Sequence, residues 1–183
     1  MKTKHIFLTA LFGIALVFGS CKKGANDPSF SFKSRDARIT ADWNLSSMSK
    51  SNVVVQDNGQ ISYTSKTTYV FDGTTMTETS NIGFGDQTES YPYSYEIVIN
   101  DDGTYNETEI NDGDKTEITD YWFWANADKK KIAITLSGKG TYLIDRLAKD
   151  EMVLMQSSVE TDTDSDGNTE TTTKSLVMSF SKK

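Results

Sequence analysis

Large apolar side chains recur at every second residue over long stretches of this sequence. Between residues 61 and 71 the odd positions include isoleucine, tyrosine and phenylalanine, while the even positions from 62 to 68 are all polar. Residues 91–99 repeat the pattern with Tyr91, Tyr93 and Tyr95. A helix would scatter these side chains around its circumference, whereas a strand collects them on one face. The alternation therefore predicts β-strands with one apolar face.

Short turn motifs divide this pattern at regular intervals. Asp-Gly pairs occur at Asp72-Gly73, Asp102-Gly103, Asp112-Gly113 and Asp166-Gly167, and Asn58-Gly59 is similar. These residues tolerate the positive φ angles that tight hairpins require. Division at these and weaker turns predicts strands near residues 41–56, 60–71, 74–82, 88–99, 103–110, 115–124, 131–136, 140–147, 151–160 and 169–181.

Consecutive hairpins of this kind predict an all-β fold in which an antiparallel meander closes into a barrel of about 8–10 strands. Closure is favoured because it removes the exposed edges of a long sheet. The interior of a small barrel can be filled by its own side chains or can hold one small ligand. No segment of the sequence has a convincing long amphipathic helix pattern.

The first twenty residues have the composition of an export signal. Lys2 and Lys4 precede an apolar run over residues 6–18, which is too short to span a bilayer, and Gly19 and Ser20 then lead to a cysteine. The predicted organisation is a signal peptide at 1–20, Cys21 with a flexible tether at 21–38, and one β-barrel domain at 39–183.

The hexapeptide Leu16-Val17-Phe18-Gly19-Ser20-Cys21 resembles the lipobox of bacterial lipoproteins. This resemblance implies a mature chain that begins at Cys21 and carries a diacylglycerol and an N-acyl chain, which together form a stable anchor. Lys22 is not the aspartate that retains proteobacterial lipoproteins at the inner membrane, so the analogy favours the outer membrane. The resemblance does not indicate which face of that membrane.

A second resemblance covers roughly residues 39–183. The segment Ala41-Asp42-Trp43-Asn44-Leu45 resembles the first-strand G-x-W signature of lipocalins, with Ala41 in the place of glycine. Residues 132–136, 142–144 and 147–154 resemble the lipocalin-like lipoproteins of Bacteroidetes. The resemblance implies a lipocalin-like barrel at the cell envelope, and it implies architecture more firmly than activity.

Composition excludes several function classes. The only histidine, His5, and the only cysteine, Cys21, lie outside the predicted domain, so imidazole and thiolate chemistry is excluded from it. The chain has 19 basic and 26 acidic side chains, for a net charge of −7. Loss of Lys2 and Lys4 with the signal leaves 17 basic groups and a charge of −9. A surface this acidic repels nucleic acid.

Eight aromatic residues at alternating positions are the candidate ligand-binding set. Ligand cavities in proteins are mostly apolar and carry a few polar groups that orient the ligand. The same rings can also form a packed barrel core, which is the commoner arrangement, although each buried tyrosine hydroxyl then needs a partner. The candidates are Tyr63, Tyr69, Phe71, Tyr91, Tyr93, Tyr95, Trp122 and Trp124.

Acidic residues supply two weaker candidates. The D-x-D-x-D-G spacing near residue 164 matches the first half of a calcium-binding EF-hand loop, but it lacks the final glutamate and helical flanks, so a solvated loop is the commoner explanation. Four carboxylates on one predicted hairpin suggest a hydrolase, although an exposed acidic sheet face is far commoner. The calcium candidates are Asp162, Asp164, Asp166, Asn168 and Glu170, and the hydrolase candidates are Glu107, Glu109, Glu117 and Asp120.

These observations lead us to expect a membrane-anchored envelope lipoprotein that is not an enzyme and has no cofactor. The expected activity is binding of a small, partly apolar ligand inside the barrel. The alternative is a protein-interaction or scaffold module of an outer-membrane complex.

Overall fold

The computed structural model of this chain describes residues 26–28, 31, 33–59, 61–83, 85–125 and 131–183. Within these ranges, one short helix precedes ten strands. The elements are α1 (Arg35–Ile39), β1 (Ala41–Asp57), β2 (Ser62–Phe71), β3 (Thr75–Asn81), β4 (Asp86–Ile99), β5 (Thr104–Asn111), β6 (Asp114–Trp124), β7 (Ala133–Leu136), β8 (Gly140–Leu147), β9 (Glu151–Thr163) and β10 (Thr169–Lys182).

The ten strands form a closed antiparallel barrel in which each strand pairs with its neighbours in sequence and β10 returns to pair with β1. The predicted all-β fold and its meander topology are therefore confirmed. The turn chemistry is also as expected, since Gly73 and Gly103 adopt φ angles of 107° and 88°, which a residue with a side chain rarely adopts.

The barrel is narrower at one end than along the rest of its length. At the start of β1, residues Ala41–Asn44 pair directly with Glu96–Ile99 of β4. Eight strands, β1 and β4–β10, therefore form the ring at this level. Further from this end, the β2–β3 hairpin enters the barrel between β1 and β4, with Phe71 and Met76 as its first paired residues. We call this the closed end. An eight-stranded ring is just wide enough for its own side chains to fill.

A continuous apolar core fills the closed end. Trp43, Ile134, Leu147, Met152 and Leu154 are all completely buried. The indole Nε1 of Trp43 donates a hydrogen bond of 2.8 Å to the backbone oxygen of Ile39, so α1 is held against the core. The rest of the core cluster includes Leu45, Ile97, Ile99, Leu136, Ile144 and Phe180.

The opposite end, which we call the open end, has walls of unequal height. Strands β1, β4, β9 and β10 have 17, 14, 13 and 14 residues, whereas β7 has 4 and β8 has 8. The β7–β8 hairpin turns at Ser137–Lys139, and the long strands continue beyond it. The barrel interior is therefore accessible over this low side.

The segment that precedes the barrel corrects one prediction. The sequence suggests a flexible tether through residue 38, but its described part packs across the closed end. Asp27, Arg35 and Arg38 are buried, and the Asp27 carboxylate pairs with Arg35, accepts a 2.8 Å hydrogen bond from the Leu147 N–H, and lies 3.8 Å from Arg38. Ser34 caps α1 by accepting from Ala37 N. The polar composition resembles a coil because these charges are satisfied by distant partners.

Cys21 and the predicted signal peptide lie outside the described residues. Within the part of the chain that is described, no helix is both long and apolar enough to cross a bilayer.

Candidate functional site

A cavity of about 360 Å³ lies in the barrel interior at the open end. Five apolar side chains line it, namely Leu45, Met48, Met76, Leu176 and Met178. Five tyrosines also line it, namely Tyr69, Tyr91, Tyr93, Tyr95 and Tyr142. The remaining lining is polar and includes Lys50, Glu109, Asn111, Lys139 and Gln156. This volume is at the small end of the range for small-molecule sites.

Three of the tyrosine hydroxyls donate hydrogen bonds to carboxylates on the neighbouring strand. Tyr95 Oη lies 3.0 Å from Glu107 Oε2, and Tyr93 Oη lies 3.0 Å from Glu109 Oε1. Both pairs join β4 to β5. Tyr69 repeats the arrangement between β2 and β3, with 3.1 Å to the Oε1 of its cross-strand partner, Glu78. Each ring is thereby held in one orientation.

Glu107 is the most deeply placed charged group of the site. Its side chain is 1 % exposed, and its second oxygen, Oε1, accepts a 2.8 Å hydrogen bond from the ammonium of Lys139. Lys139 comes from the turn of the low β7–β8 hairpin and is 32 % exposed. The buried carboxylate is therefore neutralised by a lysine that also reaches solvent.

The tyrosines of the cavity are held in their neutral form. Burial raises the pKa of Tyr93 and Tyr95 far above the usual range, and the adjacent Glu109 and Glu107 carboxylates add to this effect. The pKa of Tyr91 is also raised, first by burial and then by the negative charge of Glu78 and Glu109. At neutral pH these hydroxyls are therefore hydrogen-bond donors.

Two cavity tyrosines have hydroxyls that are available to a ligand. Among the described residues, neither Tyr91 nor Tyr142 has a hydrogen-bond partner for its hydroxyl, although both side chains line the cavity. Tyr142 is largely buried, and a buried hydroxyl is normally paired. A polar group of a bound molecule is a suitable partner.

The structure divides the eight aromatic candidates among four places. Tyr69, Tyr91, Tyr93 and Tyr95 line the cavity. Phe71 is buried and packs edge-on against Tyr93 with ring centroids 5.4 Å apart. The other three candidates, Tyr63, Trp122 and Trp124, lie away from the cavity.

Trp122 and Trp124 belong to the closed end. Trp122 Nε1 donates to the backbone oxygen of Asn100, and Trp124 Nε1 donates to the Asp36 carboxylate of α1, both at 2.8 Å. Tyr63 lies far up the tall wall, where it is 39 % exposed and donates to the Ile82 backbone oxygen. Alternation correctly predicts which face these rings occupy, but it contains no information about height along the barrel.

The calcium candidates lie at the tip of the β9–β10 hairpin, beside a depression of about 550 Å³ whose lining includes Tyr63, Asp162, Asp164 and Glu170. The Asp164 carboxylate accepts hydrogen bonds from the backbone of Asp166 and from Asn168, and Glu170 accepts from Gln56. Within the described ranges, no three acidic, histidine or cysteine side chains are placed to hold a metal.

The four carboxylates considered for hydrolysis are not all together. Glu107 and Glu109 lie on β5, where each accepts from a tyrosine hydroxyl of the cavity. Glu117 is exposed on the outer face of β6 and pairs with Lys115. Asp120 is half-buried and accepts from the Tyr121 backbone. Sequence reasoning selected Glu107 and Glu109 for catalysis and overlooked Lys50 and Lys139, which carry no distinguishing pattern.

Comparison with known proteins found no relative of this chain: no protein-family model, curated protein or solved structure matches it.

Proposed function

We propose that this protein binds a small, partly apolar ligand in the open-end cavity and does not catalyse a reaction. The supporting observation is a cavity lining that combines apolar side chains with five tyrosines, three of which have hydroxyls already bonded to Glu78, Glu107 and Glu109. Side chains that are ordered before binding lose less conformational entropy when a ligand arrives. Such preorganisation is typical of binding sites.

Attachment to the cell envelope is part of the proposal. A lipid on Cys21 would hold the barrel at the outer membrane, and no cofactor or nucleic acid is required for the binding function. Replacement of Cys21 by alanine should release the protein from the membrane fraction and abolish incorporation of a labelled fatty acid. Continued labelling of the C21A chain would contradict lipidation at this residue.

Ligand binding can be tested with a fluorescent apolar dye that is displaced by a library of small molecules. The natural tryptophans are unsuitable reporters because Trp43, Trp122 and Trp124 all lie at the closed end. We expect saturable displacement by a subset of the library. Flat titrations across a chemically broad library would count against the proposed function.

A pair of adjacent substitutions provides a matched control. Leu176→Trp places a large ring in the cavity and should abolish displacement. Val177→Trp adds the same ring to the next residue of β10, which is 39 % exposed on the outer wall, and should leave displacement unchanged. Equal effects of the two variants would show that the dye does not bind in the cavity.

A second candidate, a protein-interaction module, is favoured by one observation on the outer wall. Leu143 and Val177 are 53 % and 39 % exposed and flank Met155, and together they border an apolar groove of about 310 Å³. Exposed apolar patches commonly mark contact surfaces. Pull-down from detergent-solubilised membranes, with Leu143→Glu as the comparison, would detect such a partner and show whether this groove binds it.

A further inference from the structure

The charged groups around the cavity are unequally divided between the two signs. Glu78, Glu107 and Glu109 supply three carboxylates, each of which is bonded to a cavity tyrosine. Lys50 and Lys139 supply two ammonium groups. Of these five groups, only Glu109, Lys50 and Lys139 line the cavity itself. Glu78 and Glu107 are bonded to the cavity tyrosines Tyr69 and Tyr95, and with them the carboxylates outnumber the ammonium groups by one.

Both lysines occupy positions that suit a cation. Lys50 Nζ lies 4.9 Å from the centroid of the Tyr69 ring, which is a cation–π distance. Lys139 Nζ lies 2.8 Å from Glu107 Oε1 in a charge-assisted hydrogen bond. The protein's own ammonium groups thus show where a positively charged group is stabilised in this cavity.

Lys139 is the more easily displaced of these groups. It lies between Gly138 and Gly140, which have φ angles of 72° and 107°, in the turn of the low hairpin. Its side chain is 32 % exposed, so its ammonium can be rehydrated when it leaves Glu107. Glu107 itself is 1 % exposed and cannot turn toward solvent in the same way.

We propose that the ligand of this cavity is an organic ammonium ion with a short apolar body. Its charged group takes the place of Lys139 beside Glu107 and contacts the tyrosine faces, while its apolar part packs against the apolar side chains of the lining. This inference rests on the proposed ligand-binding function and specifies the chemical class of the ligand.

The charge balance of the site disfavours an anionic ligand. An anion would have to draw Lys139 or Lys50 away from its present partner. Withdrawal of Lys139 would leave the buried Glu107 carboxylate without a counter-charge, which is costly in a low-dielectric interior. An incoming ammonium replaces one cation with another and keeps Glu107 neutralised.

The test uses three probes with the same six-carbon chain, namely hexylammonium, hexan-1-ol and hexanoate. Binding of each to the full chain is measured by calorimetry. We expect hexylammonium to bind about tenfold more tightly than hexan-1-ol, and hexanoate to bind more weakly than both.

The outcomes separate this inference from the function on which it rests. If hexan-1-ol or hexanoate binds as tightly as hexylammonium, the cavity is a ligand site without selectivity for amines, and only the inference fails. If none of the three probes binds and the dye library also gives flat titrations, the proposed function fails as well.

Two substitutions examine the charge directly. Glu109→Gln removes one carboxylate and should reduce the ratio of hexylammonium affinity to hexan-1-ol affinity about fivefold. Lys139→Gln removes the internal competitor and should increase hexylammonium affinity by at least about threefold. Unchanged or weaker hexylammonium binding by the K139Q chain would overturn the proposed displacement.

The matched controls are Glu117→Gln and Lys115→Gln. These side chains form an exposed ion pair on the outer face of β6, with exposures of 64 % and 53 %. Each control changes the net charge of the protein by the same amount as its counterpart in the cavity. A control variant that reproduces the effect of its counterpart would show that overall charge, and not the cavity, determines the preference.

Discussion

Both ends of the barrel contain ion pairs, and the two ends treat them differently. At the closed end Asp27 and its arginine partners are entirely enclosed, with side-chain exposures of 0–3 %. At the open end Glu107 is equally buried, but its partner Lys139 is 32 % exposed. The comparison teaches that a buried ion pair is fixed when both of its members are enclosed. When one member reaches water, that member can leave the pair.

The two arginines of the closed end have more buried hydrogen-bond donors than the Asp27 carboxylate can pair with. Arg35 Nε, Arg35 Nη2 and Arg38 Nε are buried and have no hydrogen-bond partner among the described residues. Burial lowers the pKa of Arg35, and the Asp27 charge opposes this effect. Removal of Asp27 should therefore be more damaging than removal of a carboxylate at the open end.

The largest effect is expected in the apolar core of the closed end. Trp43→Ala removes a completely buried indole and its hydrogen bond to Ile39, and should lower the free energy of unfolding by about 3–5 kcal/mol. Tyr91→Ala, in the half-buried wall of the cavity, should cost less than about 1.5 kcal/mol. Chemical denaturation of both variants checks the contrast, and equal losses would refute the division of the barrel into two ends.

Asp27→Asn should have the second-largest effect. It should lower the free energy of unfolding by about 3 kcal/mol, because it leaves the enclosed arginines without their carboxylate. The exposed Arg146–Glu151 pair provides the comparison, and Glu151→Gln should cost less than about 1 kcal/mol. The measurement is again the denaturation midpoint. A D27N chain that is as stable as the E151Q chain would mean that the buried cluster contributes little.

Alkaline pH should destabilise the folded state. The pKa of Tyr95 is raised above its ordinary value of 10 by burial and by Glu107, so the folded state retains this proton more tightly than the unfolded state. The stability that this difference contributes is complete below pH 10. As the pH rises further, the free energy of unfolding falls by up to about 1.4 kcal/mol per pH unit. Tyr95→Phe should reduce this slope, whereas Phe substitution of the exposed Tyr121 should preserve it.

Glu107→Gln is expected to cost only about 1 kcal/mol at neutral pH. The amide can still accept from Tyr95, and the released Lys139 ammonium can move into solvent. This variant and D27N each remove one buried carboxylate charge, so thermal melts of the two directly compare the ends. A loss as large as that of D27N would show that Lys139 is as confined as the arginines.

The smallest effect is expected at the β9–β10 tip. Since the Asp164 carboxylate is already bonded by its own turn, we expect calcium to leave the melting temperature unchanged. A calcium-dependent rise that is absent in the Asp162→Asn variant would instead establish a metal site there.

The fold was largely predictable from the sequence because strand alternation and hairpin glycines are local signals. The alternation over residues 61–71 and 91–99 correctly predicts β2 and β4, and the Asp-Gly pairs correctly predict the turns. The site was only half predictable. Alternation with a period of two residues indicates a face of the sheet but not a level along the barrel. The sequence therefore cannot show that Trp122 lies at the closed end and Tyr69 in the cavity.

The remaining features depend on distant partners. Asp27 accepts from the backbone of a residue 120 positions later in the chain, so nothing near Asp27 predicts its burial. Lys139 looks like any turn lysine, and its role follows from the unequal strand lengths that bring this turn close to Glu107. Such contacts arise from closure of the barrel and are not encoded in any short window of sequence.

The position of Asn26 determines how an anchored molecule would face its surroundings. Asn26 is bonded to Asp145 at the closed end, and Cys21 is five residues earlier, within roughly 18 Å of extended chain. A lipid on Cys21 would therefore hold this pole toward the bilayer and direct the tyrosine-lined mouth outward. Ligands would then reach the cavity from the aqueous compartment. Water-soluble amines would have direct access to it, and molecules dissolved in the membrane would not.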